Sequence, residues 1–195
     1  MQTIEEQIAD ITSGNDLYNR YQRRWKFLLE SYLGGEEYRR GNHLTRYVNE
    51  TEYEYQQRLN STHLDNHCAS VISVYNSFLF RESIKRDFGA WGNRADVEDF
   101  LRDCDCDDRS LDAFMKDVAT WSAVFGHCWI LVVKPDTGAV TQADEVAAGV
   151  RPYVNIITPL VMLDWSYTRD VTGRYSLDYL RYIEDTNSSI QTVKE

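Results

Sequence analysis

The chain has 195 residues, 43% of them hydrophobic and 27% charged, a balance that builds a packed domain and excludes an intrinsically disordered segment. Its net charge of −10 at pH 7 excludes a nucleic-acid binder that works by blanket neutralisation of phosphates, while leaving room for one basic face. Met1 is followed by Gln2, Thr3, Ile4, Glu5 and Glu6, and no apolar run of about eighteen residues occurs, so neither a secretory leader nor a membrane helix is expected.

Thr3-Ile4-Glu5-Glu6 fits a capping box and predicts a short helix to Ile11. Ser13-Gly14-Asn15-Asp16 interrupts it. Leu17, Tyr21, Trp25, Leu28, Leu29 and Tyr32 then recur at helical spacing, and Gly34-Gly35 is expected to end that helix in a left-handed cap. Between Arg20 and Arg46 stand seven basic and three acidic residues, a local +4 in an acidic protein. That stretch reads as a solvated helix face or as a surface for an anionic partner. Residues 42–49 read as a loop, after which Thr51 caps a helix that starts at Glu52 and carries Tyr55 and Leu59.

Leu64, Cys68, Val71, Ile72, Tyr75 and Leu79 continue a helical stripe almost to Arg81, with a break expected at Asn60-Ser61-Thr62. Phe88-Gly89-Ala90-Trp91-Gly92 is a glycine-punctuated loop, and residues 96–102 form a short helix with Val97, Phe100 and Leu101 on it. Ser110 caps a further helix, Leu111–Ala123, whose apolar positions are Leu111, Phe114, Met115, Val118 and Trp121. The chain then runs into Phe125-Gly126-His127-Cys128-Trp129-Ile130-Leu131-Val132-Val133, read as a buried strand closed by Lys134-Pro135-Asp136-Thr137-Gly138. If the chain has one sheet, Trp121–Gly138 and Arg151–Trp165 nucleate it. Residues 141–149 are a linker with one helical turn. Strands are expected at Tyr153–Ile157, Val161–Trp165, Tyr175–Glu184 and Ser189–Val193, with turns at Thr172-Gly173 and Thr186-Asn187. Helices followed by a meander of strands make the fold class α+β, with a mainly antiparallel sheet. Residues 1–195 are expected to form a single region, helical over 1–123 and strand-rich over 124–195.

The four cysteines, Cys68, Cys104, Cys106 and Cys128, are expected to be free thiols. His63-Leu64-Asp65-Asn66-His67 spaces two imidazoles as on a zinc-protease helix, but Leu64 stands where the general-base glutamate belongs. Asp103-Cys104-Asp105-Cys106-Asp107-Asp108 alternates like the start of a calcium loop. It lacks the glycine and the late glutamate such a loop needs, and reads instead as an exposed acidic turn. From Asp96 to Asp117 there are nine acidic and three basic residues, so that face is strongly negative. His127 reads as a packed strand residue. No nucleophile elbow, phosphate-binding loop or dinucleotide fingerprint is present. The expectation is a non-enzyme with no catalytic, cofactor-binding or metal-binding residues.

Several stretches, taken in order, resemble the N-terminal half of tailed-bacteriophage portal (connector) proteins. They are Tyr32-Leu33-Gly34-Gly35-Glu36-Glu37-Tyr38 followed by Glu52-Tyr53-Glu54-Tyr55-Gln56-Gln57-Arg58-Leu59; residues 66–80 with the terminus Phe80-Arg81; and a helix leading into Phe125-Gly126 and Ile130-Leu131-Val132-Val133 with Pro135. Arg151-Pro152-Tyr153 and the span from Pro159 to Trp165 complete the likeness, which covers roughly residues 15–185. The resemblance implies a structural subunit of a ring of about twelve copies at one capsid vertex, a conduit for DNA packaging and ejection. It further implies the major capsid protein, the terminase, neck or tail adaptor proteins and passing double-stranded DNA as partners, with assembly in the host cytoplasm, residence in the virion and no membrane. Family members are more than twice this length, so their stem, tunnel loop and clip would lie beyond Glu195, and this chain would supply the wing-like part. Two other readings stand beside it: a cytoplasmic interaction or adaptor domain that docks an acidic partner on the basic helix, and a metal-dependent hydrolase using His63 and His67.

Overall fold

The structure, a computed structural model, describes residues 14–63, 65–135, 138, 141–184 and 192–194, with the backbone alone for 192–194 and for Gln142 and Val146. The helix expected to end at Ile11 and the turn at Thr186-Asn187 lie outside these residues. Among them the class is α+β: seven α-helices, most of them ahead of five strands. The strands do not form one meander. β1 (Trp129–Val133) pairs with β2 (Tyr153–Ile157), and β3 (Met162–Arg169), β4 (Tyr175–Glu184) and β5 (Thr192–Lys194) form a separate antiparallel sheet in that order. The helical 1–123 and strand-rich 124–195 halves of the sequence are not the spatial groups. In space, residues up to Ala69 and from Thr158 onward form one compact unit, and Ser70–Ile157 form the other.

In the first unit, α1 (Asp16–Leu33) starts at Asn15, whose side-chain oxygen accepts a 2.7 Å hydrogen bond from the Tyr18 amide. The helix buries Tyr18 and Trp25, whereas Leu17 and Tyr21 of the expected stripe stay exposed. The apolar face is therefore rotated toward Tyr18. Tyr18 Oη donates to the Leu160 carbonyl at 3.1 Å and the Asn15 amide to the Leu163 carbonyl at 3.0 Å, which ties α1 to the start of β3. Met162, Leu163, Pro159 and Tyr182 are buried in this unit as well. Gly34 ends α1 with φ +68° and ψ −158°, a conformation that suits glycine alone. A Cβ there would lie 2.6 Å from the Asn66 side-chain nitrogen.

α1 stops at Gly34-Gly35 as expected, and a short helix not expected there, α2 (Gly35–Arg40), begins at once. α3 (Glu52–Ser61) has the capping box that Thr51 announces, completed by Glu54. None of its residues is fully buried, and polar ties hold it. Arg58 grips both oxygens of Glu50 at 2.7 Å and the Thr45 carbonyl at 2.8 Å, and lies over the Tyr47 ring. β3 and β4 run antiparallel from Met162 opposite Tyr182 to Arg169 opposite Tyr175, with register shifts after Met162 and after Ser166. Asp170 closes the hairpin by accepting from the amides of Thr172 and Arg174.

In the second unit, α6 (Leu111–Phe125) carries Ser110 as its cap and ends at Gly126 with φ +86°. Phe114 on this helix packs with Cys104 and Val154 at the centre of the unit's core. Phe100 of α5 (Ala95–Arg102), Leu111, Met115, Val118 and Ile156 close around them. β1 is not the buried strand its composition suggests. Its residues alternate, and Ile130 and Val132 are exposed because a two-stranded ribbon is covered on one face only. α7 (Gln142–Ala147) is the helical turn expected in the 141–149 connection. The Val154 amide donates to the Cys104 carbonyl at 2.9 Å, fastening β2 to the acidic loop.

Candidate functional site

Asn66 caps α4 (His67–Leu79), accepting from the Ala69 amide at 3.1 Å while donating to the Tyr32 carbonyl at 2.6 Å. The most apolar stretch of this helix faces outward. Val71, Val74, Tyr75, Phe78 and Leu79 are between 52% and 70% exposed, whereas the buried residue is Asn76. Asn76 Nδ2 donates to Thr120 Oγ1 at 2.6 Å, so a polar contact anchors the helix to α6. Val71, Val74, Tyr75 and Phe78 stand at i, i+3, i+4 and i+7, the spacing with which a helix seats itself in a groove. Two exposed cations follow it: Arg81 and Lys85 make no ion pair among the described residues.

The same unit holds such a groove, of about 630 Å³. Its walls include Phe88, Val97, Phe100, Val132, Pro152 and Val154, with Val132 68% exposed at the open side. Asp96 and Asp99 stand in its wall, the first bonded to Arg94 at 2.8 and 2.6 Å and the second to Arg102 at 2.7 Å. The Arg94 guanidinium holds the Asp96 carboxyl below its usual range. Glu98, between them on α5, is exposed and makes no ion pair among the described residues.

The acidic run is exposed at Cys106, Asp107 and Asp108, as its composition predicts, but its first half turns inward. Cys104 is fully buried and Asp105 nearly so. Burial raises the Asp105 pKa, but hydrogen bonds from Arg109 Nε at 2.6 Å and from the amides of Asp107 and Arg109 outweigh it and hold the carboxyl ionised. Arg109 also reaches Asp117 at 2.7 Å. Burial pushes the Cys104 thiol up, with the charge of Asp105 adding to it. Cys106 and Asp108 take positive φ of 68° and 62° to make the bend. Asp103 pairs with Arg151, which carries the loop's geometry into the groove wall. Of the carboxylates that looked like calcium ligands, Asp103 and Asp105 are thus engaged with arginines and amides.

His63 and His67 do not share a helical face. α3 ends at Ser61, so His63 lies in the connection, 3.1 Å from Asp65, and His67 is the first residue of α4. His127 is exposed and precedes β1 instead of packing within it. Among the described residues no three His, Cys, Asp or Glu side chains gather as a metal site would require, and no helix is long and apolar enough to cross a membrane. All four cysteines are free thiols.

Of the seven basic residues between Arg20 and Arg46, Lys26, Arg39, Arg40 and Arg46 are engaged locally, while Arg20, Arg23 and Arg24 line an open surface with Phe27 and His43. His43 is held at 2.6 Å from Glu30. Sequence reasoning missed Val74 and Phe78 as members of the α4 face. The signal was there, but a helix apolar on nearly all sides offers several overlapping stripes. No protein-family model matches the chain, and no curated protein matches it.

Proposed function

We propose that the chain is the wing-like part of a phage portal subunit: a structural element that assembles into a ring, carries no reaction, and lends rigidity to a DNA conduit. The observation that carries this reading is the outward apolar face of α4, which an isolated chain would leave in water. Burying Val, Leu or Phe side chains fully is worth about 1.5–3 kcal/mol each, so five half-exposed ones are a substantial drive to associate. The element order of the portal resemblance supports it too, since α6 runs directly into β1 and Pro159 leads into β3 as that likeness requires. The net charge of −10 suits a conduit, because negative walls repel phosphate and do not trap a moving duplex.

As a portal element the chain works with the terminase, capsid and neck proteins as partners, within a virion. Native mass measurement of the purified chain tests the reading. A closed assembly of about a dozen copies supports it, and a species that stays monomeric or dimeric overturns it. In that second case the exposed Arg20, Arg23 and Arg24 favour an adaptor that docks an acidic partner.

A further inference from the structure

We infer that the ring closes head to tail in one specific way: the outward face of α4 on one copy docks into the groove beside α5 and β1 on the next. This rests on the ring reading and names the two surfaces that would make it. Both surfaces lie in the unit formed by Ser70–Ile157, yet they are different patches, so each copy offers one of each. That is the requirement for a heterologous contact, which closes into a ring when the rotation per step divides a full turn.

The fit is chemical as well as topological. The anchors Val71, Val74, Tyr75 and Phe78 span about 10 Å of helix and present two aliphatic and two aromatic side chains. The groove walls, Phe88, Val97, Phe100, Val132, Pro152 and Val154, are apolar, and their volume of about 630 Å³ is that of a site that takes several side chains at once. Charge sets the direction. The docking helix is followed by Arg81 and Lys85, cations with no ion pair among the described residues, and α5 carries Glu98, an exposed carboxylate equally without an ion pair among the described residues, between the groove-lining Val97 and Asp99. A second copy is therefore an occupant that supplies apolar anchors for the groove and cations for the free carboxylate beside it. An unrelated helical partner would have to supply the same pattern.

The test uses the full chain and two surface substitutions, Phe78→Asp on the helix and Val132→Asp on the groove. Both side chains are mostly exposed, so each variant should keep the circular dichroism spectrum of the parent and a cooperative melting transition. Each variant alone should fall to a monomer by native mass measurement. Mixed in equal amounts they should give a pair and nothing larger, because one intact helix meets one intact groove and the remaining surfaces are spoiled. As an independent arm, Arg81→Glu and Glu98→Lys should each weaken assembly about tenfold, and the two together in one chain should restore it. If the parent chain assembles and both Asp variants assemble equally well, the inference is overturned while the ring reading stands. If the parent is a monomer at every concentration, both fall.

Discussion

Helices α1 and α4 each carry an apolar stripe at helical spacing and end in opposite situations. α1 is the more charged of the two, yet it buries Tyr18 and Trp25 and ties its N-terminus to β3 through backbone and tyrosyl hydrogen bonds. α4 is the more apolar, yet the side chain it buries is Asn76 and the valines and aromatics point outward. An apolar stripe therefore marks a surface that must be covered, and says nothing about whether the same chain covers it. α3 supplies an intermediate case, a helix with no fully buried residue that is held by its capping box and by the Arg58–Glu50 pair.

The largest effect that sharpens this contrast is Trp25→Ala. Removing a buried indole from α1 should cost about 3–5 kcal/mol in urea or thermal unfolding. A loss below about 1 kcal/mol would mean that α1 is no better covered than α4. Next is Asn76→Ala, which strips α4 of its buried contact to Thr120 and should cost about 1–2 kcal/mol. An unchanged midpoint would mean that the outward valines and aromatics hold the helix in place after all. Asn15→Ala, which removes the cap of α1, should cost about 1 kcal/mol by the same measurement.

The polar case, α3, predicts a pH dependence. Chiefly through the hydrogen bonds from Arg58, the Glu50 carboxyl is lowered from 4.5 to about 2. A depressed carboxyl lends stability that is complete above its unfolded value and is lost as pH falls through the folded one. The difference in urea midpoint between the parent and Glu50→Gln should therefore be full near pH 6 and close between about pH 4.5 and 2. A gap that stays constant over that window would assign the effect to something other than the ionised pair. The smallest expected effect is the stability change of Phe78→Asp, within about 0.5 kcal/mol for the monomer because Phe78 is already in water.

Much of the fold was legible. The caps at Thr51 and Ser110, the bounds of β2 and β4 and the α+β class all follow from local rules, because caps and strand alternation are short-range physics. What was not legible depends on partners distant in sequence. β1 and β3 are both rich in strand-forming residues, and nothing local says that β1 pairs with β2 alone while β3 joins another sheet. Gly34-Gly35 does end α1, as read, but that Gly35 also starts α2 was not legible. The acidic loop misled for a related reason. Four aspartates in a run of charged and small residues suggest solvent, and the burial of Asp105 depends on Arg109 arriving with the right geometry and on Val154 from a strand far along the chain. The candidate surfaces were the least legible, since exposure of an apolar helix face is a property of what fails to cover it.

The most direct test of the account is the native mass of the unmodified chain set beside that of Phe78→Asp. The account predicts a closed multimer of about a dozen copies for the first and a folded monomer for the second. A parent chain that remains a monomer, with its α4 face bare at every concentration measured, would contradict it.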